Sequence, residues 1–235
     1  MCAHYESLKQ GDRLARFFGL RHAPADTVPD VWPGYRSLFL RRKEASGQHS
    51  GLPSDSPSEP SADHLGPREA AAGLFGLLPH WAKDARLARH TYNARSETVA
   101  DKPSFRDAWR KGQRCVVPAE AIFEPDWRSG RAVSARIVKR DGSPMGLAGL
   151  WARWYGAGGE VLESFTLLTV NADAHPFMRH YHRPGEEKRM VVILQPWDYD
   201  AWLAPGKAPD LLRAFPAGEL VSDPVSREPS RVGRA

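Results

Sequence analysis

The second residue of the chain is a cysteine, and it brings the first chemistry worth weighing. Loss of Met1, which a small second residue favours, would leave an α-amine and a thiol on adjacent carbons. Their reference pKa values are about 8 and about 8.5, so both would be partly deprotonated near neutrality. A 1,2-aminothiol condenses with aldehydes: the amine forms an imine, and the sulfur then closes a five-membered thiazolidine. The open form of an abasic deoxyribose is such an aldehyde. Cys2 alone leaves open a plainer reading, a small residue at a frayed terminus.

Three further segments carry groups that could serve that chemistry. Asn93-Ala94-Arg95-Ser96-Glu97-Thr98 puts an amide, a guanidinium, a carboxylate and a hydroxyl on one short stretch. An amide can hold a nucleophile or carbonyl oxygen in place, and an arginine fork suits a phosphate. The same string also reads as a capped turn. In Arg114–Glu124, Glu124 follows Ile122 and Phe123 and precedes Pro125 and Trp127. A carboxyl among apolar and aromatic neighbours tends to hold its proton, which suits proton shuttling; an exposed glutamate at a strand end is the alternative. Cys115, inside that apolar pattern, reads as buried and inert. His175, His180 and His182 fall close together, ahead of Arg183 and Lys188-Arg189-Met190. Their spacing fits no common zinc pattern, and neither paired cysteines nor HExxH supports one, so no metal and no cofactor is expected. One acid–base histidine with basic neighbours for phosphates is more economical.

The elements that must position these groups are legible in outline. Residues 7–20 read as a short helix with Ser7 as N-cap and Leu14, Phe17 and Phe18 on one face. Residues 36–42 read as a strand. Residues 44–69, rich in Ser, Pro and Gly, read as a flexible surface insertion within one domain. A strand through Leu78, a turn at Pro79, a short helix from Pro103 to Trp109 and a compact strand over Arg114–Pro118 follow. Segments 132–139, 146–153 and 162–170 read as successive antiparallel strands, separated by Asp141-Gly142 and Gly156–Gly159. A short helix over 173–180, a last core strand over Met190–Leu194 and a helix over Trp197–Leu203 complete the chain. Together they predict an α+β fold: a single domain over 1–221 on a mostly antiparallel, curved or barrel-like sheet with a few short flanking helices, and a disordered tail over 222–235.

The 235 residues are 41% hydrophobic, enough for one substantial core. There is no run of about 18 apolar residues and no apolar stretch behind the start, so neither a membrane span nor a signal peptide is expected. Two cysteines in the whole chain point to a reducing, cytoplasmic setting. A formal charge of +5 favours polyanionic partners without identifying one.

Taken in order, Cys2, the Asn93–Thr98 string, Arg114–Glu124 and the His182-to-Met190 stretch resemble the SOS-response-associated peptidase family of abasic site processing proteins. The resemblance is densest over residues 76–127 and 165–203. It implies an abasic site processing protein that binds single-stranded DNA and forms a thiazolidine crosslink through Cys2, with autoproteolytic and lyase activity as further expectations. Asn93 would orient the Cys2 amine or the sugar oxygen, Glu124 would act as general acid and base, and His182 would assist proton transfer. Arg95 and Arg189 would bind flanking phosphates, and Trp81 would face DNA bases. The expected partner is single-stranded DNA with abasic sites, met by a monomer. The sequence departs from the family in three places: Ala3 and His4 where Gly and Arg are usual, Pro125 directly after Glu124, and an expanded loop between His182 and Arg189. That loop leaves His180 and Arg183 as competing assignments. The variant pattern resembles a phage- or prophage-associated branch. Other functions stay open at this point: a cysteine peptidase using Cys2, His182 and Glu124 or Asn93, a non-covalent single-strand binding module, and a lyase sharing the imine.

Overall fold

The computed structural model describes residues 2–8, 10–20, 24–43, 68–204, 206 and 209–224. In chain order the strands are β1 (Tyr5–Ser7), β2 (Asp30–Val31), β3 (Arg36–Arg42), β4 (Arg68–Phe75), β5 (Asn93–Arg95), β6 (Arg114–Asp126), β7 (Val133–Lys139), β8 (Met145–Tyr155), β9 (Val161–Asn171), β10 (Arg189–Val191), β11 (Ile193–Leu194) and β12 (Leu220–Pro224). Among the described residues, three short helices flank them: α1 (Gly11–Phe18), α2 (Arg106–Arg110) and α3 (Tyr199–Leu203).

Five strands close on themselves. β3 pairs with β4, β4 with β9, β9 with β8, β8 with β6, and β6 returns to β3 through Leu40 and Val116. A mostly antiparallel barrel results, its one parallel seam being β4 against β9, and closure removes the open edges that a sheet of this length would expose. Phe39, Phe75 and Phe165 are fully buried, with the Phe165 ring centroid 5.5 Å from each of the other two. Each such ring contributes about 1.5–3 kcal/mol by leaving water.

The functional region lies where β6 outruns the barrel. Up to Ala119, opposite Met145, β6 pairs with β8; from Ile122, opposite Ile137, it pairs with β7. Pro118 sits at this change of partner, and β1 docks on the other side of the extension with a register shift between Glu6 and Ser7. The 13-residue strand therefore carries Glu124 away from the barrel and beside the N-terminal segment.

Several expected boundaries are corrected. Ser7 belongs to β1, where its amide donates to Pro29 O at 2.7 Å, and the helix starts at Gly11. The expected apolar face survives, with Leu14 and Phe18 buried and Phe17 packed alongside. Arg68 and Glu69, assigned to the insertion, pair with Arg42 and Arg41 in β4; the rest of that insertion lies outside the described residues. The strands β7 and β8 are not neighbours, because β6 is long enough to pair with both. Over 173–180 there is only a 3-10 turn at Met178–His180. The expected strand at 190–194 is two short ones, β10 on β9 and β11 on β8. Ser222, Asp223 and Pro224, expected in the tail, end β12 against β7; the rest of that tail lies outside the described residues. No helix among the described residues is long and apolar enough to cross a membrane.

Candidate active site

Four separate elements deliver Cys2, Asn93, Glu124 and His182 to one place. Cys2 precedes β1, whose approach is fixed by the Phe123 amide donating to His4 O at 3.0 Å. Asn93 opens β5, held parallel to β9 opposite Leu167, and strand alternation puts Asn93 and Arg95 on one side with Ala94 buried on the other. The Asn93 Nδ2 donates to Cys2 O at 3.0 Å and to Tyr92 O at 2.8 Å. Its Oδ1 is buried and has no hydrogen-bond partner among the described residues. The amide thus fixes the Cys2 backbone and keeps one acceptor in reserve.

Glu124 is 2% exposed, and neither carboxyl oxygen has a hydrogen-bonding partner in good geometry among the described residues. Burial disfavours its charge and pushes its pKa up to about 7. His182 Nδ1 lies 3.6 Å from Glu124 Oε2, close enough for an electrostatic contact but long for a hydrogen bond. The other ring nitrogen, Nε2, is 3.0 Å from Arg189 O. A carbonyl only accepts, so Nε2 carries the proton and neutral His182 turns its Nδ1 lone pair toward Glu124. Burial lowers the His182 pKa to about 4, so the ring is neutral wherever Glu124 titrates.

The backbone of His182 is unusual. Its φ is +64°, the one non-glycine residue with positive φ among those described. The left-handed conformation costs an L-residue roughly 1–2 kcal/mol. Hydrogen bonds from its amide to Pro125 O (2.9 Å) and from Lys188 Nζ to its carbonyl (3.3 Å) hold it there. Strain maintained by surrounding contacts is characteristic of functional positions. His180, the competing residue, instead pairs weakly with Arg179, and His175 Nε2 contacts Phe215 O, so the three histidines have different partners.

Cys2 is 1% exposed, and its thiol donates to His4 O at 3.4 Å. Burial, reinforced by the Glu124 carboxylate, raises its pKa well above the ordinary value. In the chain that still carries Met1, burial therefore disfavours the thiolate, while the expectation of a partly ionised thiol concerned the terminus left by Met1 removal. Cys115 is fully buried in the barrel, with Trp202 Nε1 donating to its carbonyl at 2.9 Å.

The two arginines part company. Arg95 remains on the surface, half-exposed and paired with Glu187 Oε2 at 2.9 Å. Arg189 is 3% exposed. Its guanidinium donates to both oxygens of Glu97 (2.9 and 2.8 Å), to Glu187 (2.8 Å) and to Thr169 O (2.7 Å). Arg189 holds the Glu97 pKa down to about 2. Carboxylates therefore occupy the Arg189 fork in a buried setting, where it ties together the turn after β5, β9 and the loop after His182. Trp81 is exposed on the Pro79–Ala82 turn, with its Nε1 donating to Pro103 O at 3.4 Å. It lines a groove with Lys83, Arg86 and His90, separate from the cavity that contains Glu124.

Sequence reasoning missed several residues. The Glu124 cavity, about 660 Å³, is also lined by His4, Trp32, Phe123 and Arg131. Glu187, which engages Arg189, was not singled out, and Glu97, its other partner, was read only as the carboxylate of the Asn93–Thr98 string. For Glu187 there was a signal, since it lies in the expanded loop. No group of three or more potential metal ligands occurs among the described residues.

A family model described as "SOS response associated peptidase (SRAP)" matches residues 1–232. The abasic site processing protein YoaM of Bacillus subtilis is 33% identical over 145 residues, 60% of each chain, so the match spans less than two thirds of that relative. The abasic site processing protein YoqW of Bacillus phage SPbeta is 29% identical over 174 residues, 67% of this chain and 73% of the relative. A crystal structure of a Bordetella bronchiseptica protein is 40% identical, covers 96% of this chain and 100% of its own, and superposes with a TM-score of 0.81.

Proposed function

The chain belongs to the SOS response associated peptidase family, and from that premise we propose that it captures abasic sites in single-stranded DNA by a covalent bond to Cys2. The observation that carries the reading is the meeting of buried groups: Asn93 Nδ2 holds the Cys2 carbonyl at 3.0 Å, and His182 Nδ1 stands 3.6 Å from the carboxyl of buried Glu124. The names of relatives matched by this chain, abasic site processing proteins, support the substrate class.

The proposed reaction begins once Met1 is removed. The neutral α-amine of Cys2 attacks C1′ of the open-chain sugar, forming a C–N bond and leaving a hydroxyl on that carbon. Glu124, whose pKa burial raises to about 7, gives its proton to that hydroxyl, which leaves as water. The resulting iminium carbon then accepts the sulfur. The thiol proton passes to the Glu124 carboxylate, the nitrogen keeps its remaining proton, and the five-membered ring closes. One water is the only product released. Asn93 holds the Cys2 carbonyl and offers Oδ1 to the amine, and neutral His182 receives the Glu124 hydroxyl through Nδ1. Arg95 exchanges its exposed pairing with Glu187 for a DNA phosphate. A single strand suits this arrangement, because a sugar without a paired partner is drawn into a cavity at little cost. The same imine is the branch point for β-elimination, so strand cleavage competes with ring closure.

A general cysteine peptidase is less well supported. Such an enzyme works through a thiolate beside an imidazolium, whereas here the thiol pKa is raised and the histidine pKa is lowered.

Intact-mass measurement after incubation with an abasic single strand tests the proposal. Loss of Met1, followed by an adduct equal to the strand minus one water, is expected. Cys2→Ala should give no adduct and Cys115→Ala should give the full adduct. An adduct that survives Cys2→Ala would overturn the assignment.

A further inference from the structure

Of the residues proposed to carry the capture chemistry, only Glu124 lines the cavity of about 660 Å³. Three rings in a row form another part of its lining. His4 lies between Trp32 and Phe123, with ring centroids 4.0 Å from each and interplanar angles of 15° and 12°. Asp30 fixes the row by accepting from His4 Nε2 and, at 3.2 Å, from Trp32 Nε1. The inner end, Phe123, is the chain neighbour of Glu124. The outer end, Trp32, is 42% exposed. Arg131 and Ser134, on the β6–β7 hairpin, complete the cavity.

These features suit one kind of occupant. A volume of about 660 Å³ falls within the range of small-molecule sites, and a sugar aldehyde at Glu124 fills only part of it. A large ring held flat and left partly in water marks a contact surface. Aromatic faces stack any nucleobase without regard to sequence, and an exposed arginine beside them matches the phosphate that accompanies each base.

Resting on the capture reading, we propose that Trp32, backed by His4 and Phe123, is the stacking platform for the nucleobase next to the captured abasic sugar, with Arg131 holding that nucleotide's phosphate. It also gives a role to His4, whose flat ring is the middle layer of the row.

The test couples loss of the ring to loss of the base. Adduct formation is measured against protein concentration for three abasic strands: one with both neighbouring bases, one with a tetrahydrofuran spacer on the 5′ side, and one with the spacer on the 3′ side. For wild type, one of the spacers should raise the half-saturating concentration about tenfold, with the maximal rate little changed. Trp32→Ala should show the same rise on the intact strand and no further rise on that spacer strand. Trp32→Phe should retain most of the affinity. Independent, multiplying losses, or no loss with Trp32→Ala, would overturn the platform. If Trp32→Ala does not fold, as read by its melting temperature, the spacer response of wild type against Trp32→Phe decides the same question. A wild-type protein that forms no adduct with any strand would instead defeat the capture reading, whereas an adduct without coupling defeats only the platform.

Discussion

Replacing Glu124 with glutamine should remove crosslinking and, above neutral pH, make the fold more stable. Glu124 is buried, and its pKa stands at about 7 against an ordinary value of 4.5. A raised carboxyl pKa means that the folded protein binds the proton more tightly than the unfolded chain. The stabilisation from protonated Glu124 is complete below pH 4.5, and it is lost as pH rises toward 7 and through it. At about 1.4 kcal/mol per pH unit, the loss across that window comes to roughly 3 kcal/mol. Glutamine is close in shape and has no charge to bury, so Glu124→Gln escapes the loss. His182 works in the opposite direction. Its pKa is lowered from 6.5 to about 4, so its contribution grows as pH rises from 4 to 6.5 and partly masks that of Glu124 in the wild type. The assay is urea unfolding of both proteins at about pH 5 and about pH 8.5. The advantage of the variant should grow by roughly 3 kcal/mol between the two, while adduct formation is abolished at both. A difference in stability that does not change with pH would refute the claim that burial of a titrating carboxyl is the source of the shift.

Two further perturbations separate the arginines. Arg95→Gln should weaken binding to abasic single strands several-fold and reduce the slope of log affinity against log salt by about 1, the signature of one lost phosphate contact; an unchanged slope in a salt titration would remove Arg95 from the DNA interface. Arg189→Met should lower stability by about 1–3 kcal/mol, because Glu97, half-exposed at its side chain, can turn to water once its partner is gone. Its salt slope should stay at the wild-type value, so a reduced slope measured in the same titration would return Arg189 to the phosphates.

Much of this was legible because strand periodicity is local. The strands around residues 36–42, 133–139, 145–155 and 161–171 follow from alternation and from turns such as Asp141-Gly142. Glu124 was also legible, since Ile122 and Phe123 announce an apolar setting. Non-local pairing was not. Ser7 looks like an N-cap until β1 is laid against β6, and the separation of β7 from β8 depends on how far β6 continues beyond Pro118. Arg189 shows the same limit: its type suggests a phosphate, but Glu97, 92 residues away, occupies its guanidinium. What favours His182 over His180 is a left-handed backbone and the approach of Nδ1 to Glu124, neither of which residue spacing reveals. The ring row of His4, Trp32 and Phe123 joins three distant segments and leaves no local pattern.

The burial of the Cys2 thiol sets the order of the proposed reaction. Read from sequence, amine and thiol are both partly deprotonated, and either could strike the aldehyde first. A thiol whose pKa burial has raised well above its ordinary value is a poor first nucleophile. First attack by the amine is the order this burial favours. The iminium it forms is a stronger electrophile than the aldehyde and brings a positive charge next to the sulfur and Glu124. That charge favours both a thiolate and a glutamate carboxylate, so it reverses, at the moment it is needed, the effect that kept the thiol protonated. Glu124 must give a proton before this point and take one after it. With a pKa of about 7, it is present in both forms at neutral pH and can do each without a second acid or base.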